Sequence, residues 1–175
     1  MNKLLPTFFS KPMNLILFNL MWIGLVIGRE SLILVTIPIV AIYAYILVRE
    51  GKVKIHQLLL PACIGIAIDS ALTLFGIFSF SGSSLILPLW LITLWLAFAT
   101  TLTQSLSFLG RNKIFSVVAG GIAFPFNYAI GERVGAVSFA EPYLLSLVII
   151  GLIWMFVLPL LFIVTHEYFE QKFAT

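Results

Sequence analysis

The sequence predicts an all-α fold: a polytopic membrane bundle of six transmembrane helices, forming one integral-membrane domain over residues 1–175. Hydrophobic residues make up 61% of the chain and charged residues 10%, and the mean hydropathy is +1.13. Soluble domains are about 45–50% apolar and about 25% charged. This chain therefore has too few polar side chains to cover its surface in water, whereas six apolar segments of spanning or near-spanning length fit a bilayer.

Short polar turns separate the six predicted spans, which cover approximately residues 13–28, 31–48, 55–79, 85–109, 114–130 and 142–165. Pro12 suits the first turn of the first helix, where a missing backbone N–H costs nothing. Gly120, Gly121 and Pro125 fall inside the fifth span. They predict a kinked or partly unwound helix, which membrane proteins tolerate where other protein shelters the backbone.

The basic residues predict which way the protein faces. One side of the six spans receives eight of the ten Lys and Arg residues: Lys3, Lys11, Arg49, Lys52, Lys54, Arg111, Lys113 and Lys172. The other side receives Arg29 and Arg133. Because the loops are short, the positive-inside rule places both termini in the cytoplasm. The sequence pI of about 9.2 reflects this topology, since no basic run or face indicates a nucleic-acid partner.

An acid, Asp69, lies in the middle of predicted span 55–79. A charged side chain at a helix centre costs about 2.5–3.5 kcal/mol on insertion scales. Gly65, Thr73 and Gly76 share its helix face, which is therefore small and polar. Such a face favours a packed interface over contact with lipid.

Depth in the membrane predicts the partners of this acid. At a rise of about 1.5 Å per residue, Asn19, Thr93 and the Trp95 indole reach a similar depth, and Thr73 lies one turn away on the same helix. Two interpretations stay open. Asp69 either relays a proton or cation, or contacts a substrate; or it makes an interhelical hydrogen bond that fixes packing.

Two further groups complete a predicted polar seam between spans 1, 3 and 4. Five residues recur at alternating steps of four and three along span 85–109 and share one face, and all but Ala97 are polar: Thr93, Ala97, Thr100, Gln104 and Ser107. They form either a cavity wall or a helix-packing face with local hydroxyl bonds. Asn127 and Tyr128 follow Pro125, and with Asp69 and Thr93 they would line a cavity if the protein were a permease.

Motifs for common enzyme chemistry are absent from the sequence. It contains no GxSxG, Walker-type loop or CxxC, and the pair His166-Glu167 lacks the second histidine of a zinc-protease helix. We therefore predict no catalytic residue, no metal site and no cofactor, and favour a protein that is not an enzyme.

Three blocks of the chain, residues 69–80, 88–109 and 120–139, resemble an uncharacterised family of small bacterial inner-membrane proteins known as a domain of unknown function. The matching positions include an Asp, a Leu and a Gly at helical spacing, a Pro-x-Trp run, and a Gly- and Ala-containing run that follows a Pro and a Tyr: Asp69, Leu72, Gly76, Pro88, Trp90, Leu94, Trp95, Phe98, Ala99, Thr101, Leu102, Ser105, Leu106, Pro125, Tyr128, Gly131, Gly135, Ala136 and Phe139. A match around Asn19 and Trp22 extends the resemblance into the first span. The family pattern has Asn at the position of Thr103 and Gly at that of Phe124.

The resemblance implies no settled activity. Genes of that family are said to neighbour genes for fatty-acid-modifying enzymes, which implies an accessory component linked to membrane lipid modification or envelope stress. Its partners would be the lipid bilayer and a membrane protein or lipid-modifying enzyme. Two alternatives remain: a small permease or substrate-binding membrane subunit of a transporter, and an intramembrane lipid-modifying enzyme.

Overall fold

The computed structural model describes residues 10–80, 86–140 and 142–165. Within these residues the fold is all-α, as predicted, with one small antiparallel ribbon. The six helices are α1 (Lys11–Gly28), α2 (Ile33–Arg49), α3 (Ile55–Leu74), α4 (Leu89–Leu102), α5 (Lys113–Arg133) and α6 (Tyr143–Thr165). Four of the predicted spans, 13–28, 31–48, 114–130 and 142–165, agree with their helices to within three residues at each end.

Four helical stretches in the described part of the chain are long and apolar enough to cross a membrane: Lys11–Arg49, Ile55–Leu74, Lys113–Arg133 and Tyr143–Thr165. The three shortest of them have 20, 21 and 23 residues. A helix of about 20 residues matches the hydrocarbon thickness of a bilayer, roughly 30 Å. Helix α4 is also apolar but has only 14 residues, so its length is about 21 Å.

The stretch Lys11–Arg49 is a helical hairpin. A short 3₁₀ turn, Arg29–Leu32, separates α1 from α2, and Arg29 has a left-handed φ of 46°. The Asn14 amide nitrogen donates to the Tyr43 hydroxyl oxygen at 3.0 Å. In one straight helix these residues would lie about 44 Å apart, so the bond requires α1 and α2 to run antiparallel.

One end of the bundle, which we call the strand end, is closed by the ribbon. Strand β1 (Phe78–Ser79) follows α3, and β2 (Ser138–Phe139) follows α5. The Arg29 guanidinium, between α1 and α2, donates to the Gly135 carbonyl oxygen at 2.5 Å. The loops after α1, α3 and α5 therefore meet at the same end.

The opposite end, which we call the basic end, is held by amide side chains. Gln104, after α4, donates to the Lys52 carbonyl oxygen between α2 and α3 at 2.9 Å. Gln57, at the start of α3, donates to the carbonyl oxygen of Thr165, the last residue of α6, at 2.7 Å. Successive helices thus run in alternating directions.

Helix α4 lies at the centre of the bundle. It packs against α1, α2, α3 and α6, and its Trp95 stacks on Phe124 of α5 with the ring planes 13° apart. Of its large apolar side chains, Leu89 at the first position is the exposed one. Two buried polar clusters in the described part of the chain, around Asp69 and around Asn14, include side chains of this helix.

The predicted span 85–109 is too long at both ends as an α-helix. Helix α4 ends at Leu102, and turns lead to a 3₁₀ segment, Leu109–Arg111. Hydroxyl side chains bond local backbone carbonyls after that point, as Ser107 does to the Gln104 oxygen at 2.8 Å. Such bonds compete with the helical pattern. Gln104 and Ser107 therefore belong to the basic end, not to a continuous polar helix face.

The predicted span 55–79 is also too long. Helix α3 ends at Leu74, and Gly76 adopts a left-handed φ of 74° that redirects the chain into β1. Glycine accepts this conformation because it has no Cβ. Phe78 is consequently part of the ribbon and is 1% exposed.

Helix α5 is continuous from Lys113 to Arg133, with Pro125 inside it. The partial unwinding predicted as one alternative at Gly120, Gly121 and Pro125 was therefore wrong, and the kink stays a prediction. The glycines of α5 serve close packing against α6 instead. A Cβ at Gly120 would overlap the Trp154 carbonyl, and one at Gly121 would lie 2.7 Å from the Met155 side chain. Small residues at such positions let helices approach closely.

Candidate functional site

The carboxylate of Asp69 lies at the meeting point of three helices. Asp69 is 0% exposed. The Trp95 indole N–H of α4 donates to its Oδ2 at 2.7 Å, and the Tyr128 hydroxyl of α5 donates to its Oδ1 at 2.5 Å. The expected contact with Trp95 is therefore present. Tyr128, which the sequence indicated only as a cavity residue, is the second partner.

Glycine brings α3 and α4 close enough for this contact. Gly65 lies one turn before Asp69, and a Cβ there would overlap the Trp95 indole. The indole therefore packs flat on the α3 backbone, with its N–H directed at the carboxylate. Thr73 contacts the backbone of Asp69: its hydroxyl donates to the carbonyl oxygen at 2.8 Å.

Both carboxylate oxygens of Asp69 are held by neutral donors. Its hydrogen-bond partners among the described residues, Trp95 and Tyr128, are poor proton carriers near neutral pH. Tryptophan does not ionise, and tyrosine has a reference pKa of about 10. A general acid or base must reach the atom whose proton it transfers. Asp69 is enclosed, and its carboxylate holds the Trp95 and Tyr128 side chains in place.

The Trp95 indole is fixed by stacking as well as by its hydrogen bond. Its ring centroid lies 5.1 Å from that of Trp154, with the planes 14° apart. Trp154 stacks in turn on Phe124 at 3.8 Å. The Trp154 indole N–H, in contrast to that of Trp95, is buried without a hydrogen-bond partner.

A cavity of about 310 Å³ lies beside this aromatic stack, between α1 and α5, with α4 as its floor. We call it the aromatic groove, because aromatic residues from several elements line it, among them Phe18, Trp22, Trp90, Trp95, Phe124 and Tyr128. Leu15 at its rim is 43% exposed, and Ala123 across from it is also exposed. The groove therefore opens through the side of the bundle.

Asn19 and Asn127 lie on the walls of the aromatic groove but do not contact Asp69. Both are exposed. The Asn19 amide donates to the Leu15 carbonyl oxygen at 2.8 Å, and the Asn127 amide donates to the Ala123 carbonyl oxygen at 2.7 Å. The expectation that Asn19 pairs with Asp69 was therefore wrong, because the amide satisfies its own helix.

The prediction that Thr93 contacts Asp69 was likewise wrong. Its hydroxyl donates to the Leu89 carbonyl oxygen at 2.8 Å, one turn back on α4. Threonine commonly bonds this carbonyl in helices. The polar contacts of Asp69, predicted between spans 1, 3 and 4, thus form a cluster between α3, α4 and α5.

A second cavity, of about 200 Å³, lies at the strand end. We call it the polar cup, and it is lined by the α1–α2 turn and the loops after α3 and α5, including Arg29, Glu30, Ser31, Phe80, Trp90 and Gly135. Phe80 and Trp90 also line the aromatic groove. The two cavities therefore share a wall.

Sequence reasoning missed a second buried polar cluster, centred on Asn14. Asn14 is 1% exposed. Besides its bond to Tyr43, it accepts from the Ser105 hydroxyl at 2.6 Å and donates to the Thr100 hydroxyl at 3.4 Å. The available signal was an amide inside an apolar segment, which must find partners when buried.

The sequence was compared with known proteins. It matches the family described as "Protein of unknown function (DUF2878)" over residues 11–160. The chain belongs to the DUF2878 family. The predicted membership of an uncharacterised family is therefore confirmed, and the match includes Asp69, Trp95 and Tyr128. Neither a curated protein nor a solved structure matches the chain.

Proposed function

We propose that this DUF2878 protein crosses a bacterial inner membrane six times. The alternating helix directions support this count, because the α1–α2 hairpin makes two passes of the stretch Lys11–Arg49. Helix α4 would make the fourth pass inside the bundle. Its buried position supports this, since a short helix packed among others does not itself have to match the bilayer thickness.

We propose further that the basic end faces the cytoplasm. Six described basic residues lie there, namely Lys11, Arg49, Lys52, Lys54, Arg111 and Lys113, and two, Arg29 and Arg133, lie at the strand end. Lys3 and Lys172, predicted on the same side as the first group, fall outside the described residues. The positive-inside rule supports cytoplasmic termini and a periplasmic strand end.

For function, we propose a non-enzymatic accessory component of membrane lipid modification or envelope stress that holds one lipid chain in the aromatic groove. The groove itself is the observation that carries this proposal. In a membrane its lateral opening would face lipid, so a chain could enter without crossing water. Its contact surface is mainly apolar and aromatic, as in sites that bind apolar ligands.

The size of the groove supports a single chain. Pockets for small ligands are about 300–1,000 Å³, and the groove, at about 310 Å³, is at the lower limit. It therefore suits one acyl chain or a part of one, and not a whole two-chain lipid. The lipid would be presented to, or sensed for, a partner membrane protein or a lipid-modifying enzyme.

One alternative keeps support from a specific observation. The polar cup adjoins the groove toward the strand end, as would suit a small permease or the substrate-binding membrane subunit of a transporter. An intramembrane lipid-modifying enzyme is less well supported, because Asp69 is enclosed and does not line the groove.

Native mass spectrometry of the full chain released from nanodiscs tests the groove. Ala123→Phe would fill it, and Ala41→Phe is the matched control, since Ala41 is exposed on α2 outside the groove. We expect the intact protein to retain lipid, the groove variant to lose most of it, and the control to keep it. Equal retention by both variants would overturn the proposal. A co-purifying ATPase module would favour the transporter subunit over the accessory component.

A further inference from the structure

The polar cup holds two opposite charges at the end of an apolar groove. Arg29 and Glu30 both line it, and Glu30 is exposed. Among the residues that line the two described cavities, Arg29 is the one with a positive charge. A ligand that fills both cavities must therefore be apolar along its length and polar, with complementary charges, at one end.

Arg29 is held in place on its backbone and on its side chain. Its left-handed φ of 46° is the one such value for a non-glycine residue in the described ranges. Its guanidinium donates to the Gly135 carbonyl oxygen across the cup. A guanidinium has five N–H donors in a rigid fork, so most of them remain to bind an oxyanion. This fork matches the geometry of carboxylate and phosphate groups, and phosphate is the oxyanion that a phospholipid headgroup carries.

Glu30 determines what the phosphate must be attached to. A bare anion would gain attraction from Arg29 and lose part of it through repulsion by Glu30. A headgroup that carries a phosphate and a primary ammonium satisfies both residues. A choline headgroup has the same charges but no N–H donor for the carboxylate.

Resting on the groove function proposed above, we infer that Arg29 and Glu30 bind the phosphoethanolamine headgroup of a phospholipid that has one chain in the aromatic groove. Phe80 and Trp90 connect the two parts of this site. Their rings lie 6.1 Å apart at 73° and line both cavities. The headgroup would thus lie at the strand end, at the membrane surface.

The test uses the full chain in nanodiscs that contain equal amounts of phosphatidylethanolamine, phosphatidylcholine and phosphatidylglycerol with the same acyl chains. Native mass spectrometry then reports which lipid stays bound. We expect ethanolamine to be preferred over choline by roughly tenfold, the size of one charge-assisted hydrogen bond. Glu30→Gln should abolish that preference, and Arg29→Gln should lower retention of all three lipids.

Arg133→Gln is the matched control, because Arg133 is exposed at the same end and lines neither cavity. It should behave as the original protein does. Equal binding of the ethanolamine and choline lipids, or preferred binding of the glycerol lipid, would overturn the headgroup assignment. If Arg29→Gln failed to fold, the exposed Glu30→Gln would still decide it.

The two proposals fail in different ways. Should Ala123→Phe release lipid while the Arg29 and Glu30 variants match the control, the groove function stands and the headgroup assignment falls. Should no lipid of any class be retained, the groove function falls, and the headgroup assignment falls with it.

Discussion

Two buried polar clusters include side chains of the same helix, α4: Trp95 belongs to one and Thr100, five residues later, to the other. The clusters differ in whether their residues line a cavity. Asn14 joins α1, α2 and α4 through neutral side chains, and none of its partners lines a described cavity. Asp69 joins α3, α4 and α5 through Trp95 and Tyr128, which both line the aromatic groove.

This difference indicates that the Asn14 cluster fixes helix packing, whereas the Asp69 cluster also positions side chains of the groove wall. The Asn14 amide both donates and accepts, so its cluster is self-contained and holds helices together. The Asp69 carboxylate holds two aromatic side chains in the shape of a groove wall. Removing Asn14 should therefore affect stability alone, whereas removing Asp69 should affect stability and ligand retention together.

The largest effect is expected for Asp69→Leu. It leaves the Trp95 N–H and the Tyr128 hydroxyl buried without an acceptor, which should cost about 2–4 kcal/mol of unfolding free energy. Asp69→Asn should cost about 1 kcal/mol, because its oxygen can accept from Trp95 while its amide donates to the Tyr128 oxygen. Unfolding in mixed micelles measures both. Equal stability of the Leu variant would show that the cluster contributes nothing.

Gly65→Ala should have the next largest effect. Its methyl group overlaps the Trp95 indole, so α3 and α4 must separate, at about 1–3 kcal/mol. Gly131→Ala is the control for the melting midpoint, since a Cβ there meets Val137 at an ordinary 3.6 Å. Lipid retention is compared with the original protein instead, because Gly131 lines the aromatic groove. The melting midpoint and lipid retention are measured together. If the Gly65 variant had the same melting midpoint as its control, the Trp95 indole would have adapted without moving the helices.

Asn14→Leu tests the other side of the comparison. Loss of its bonds to Tyr43 and Ser105 should cost about 1–2 kcal/mol. Lipid retained per folded molecule should not change, because neither Asn14 nor its hydrogen-bond partners line the groove. A proportional loss of lipid would contradict the division between packing and positioning.

The smallest expected effect is a difference in stability between variants of two stacked tryptophans, Trp95 and Trp154. Trp95→Phe loses a hydrogen bond, whereas Trp154→Phe removes an N–H that has no partner. The first should therefore be more destabilising by about 0.5–1.5 kcal/mol. Paired unfolding curves check this, and the Tyr128→Phe variant combined with each change shows whether the coupling passes through Asp69. An equal cost for both would mean that ring packing dominates.

The fold class and four helices followed from hydropathy, because long apolar runs have few alternatives. The Asp69–Trp95 contact could be predicted from depth in the membrane, since an acid at a helix centre needs a hydrogen-bond donor at the same depth. The same depth argument failed for Asn19 and Thr93, since a local backbone carbonyl was closer than any neighbouring helix.

The remaining features depend on packing that the sequence does not encode locally. The end of α4 depends on hydroxyl bonds to its own backbone, and continuous α5 depends on how closely α6 approaches Gly120. The Asn14 cluster needs three helices in register, so neither composition nor periodicity indicates it. The groove is a gap between α1 and α5, and gaps leave no pattern in a sequence.

The short central helix has a consequence for biogenesis. At 14 residues, α4 is shorter than the roughly 20 residues that a lone transmembrane segment needs, so the insertion machinery would have little reason to release it alone into lipid. Its stable insertion should depend on neighbours that emerge before and after it. The clusters at Asn14 and Asp69 connect α4 to helices on both sides in the sequence, so the membrane crossing that we propose for α4 would depend on the assembled chain.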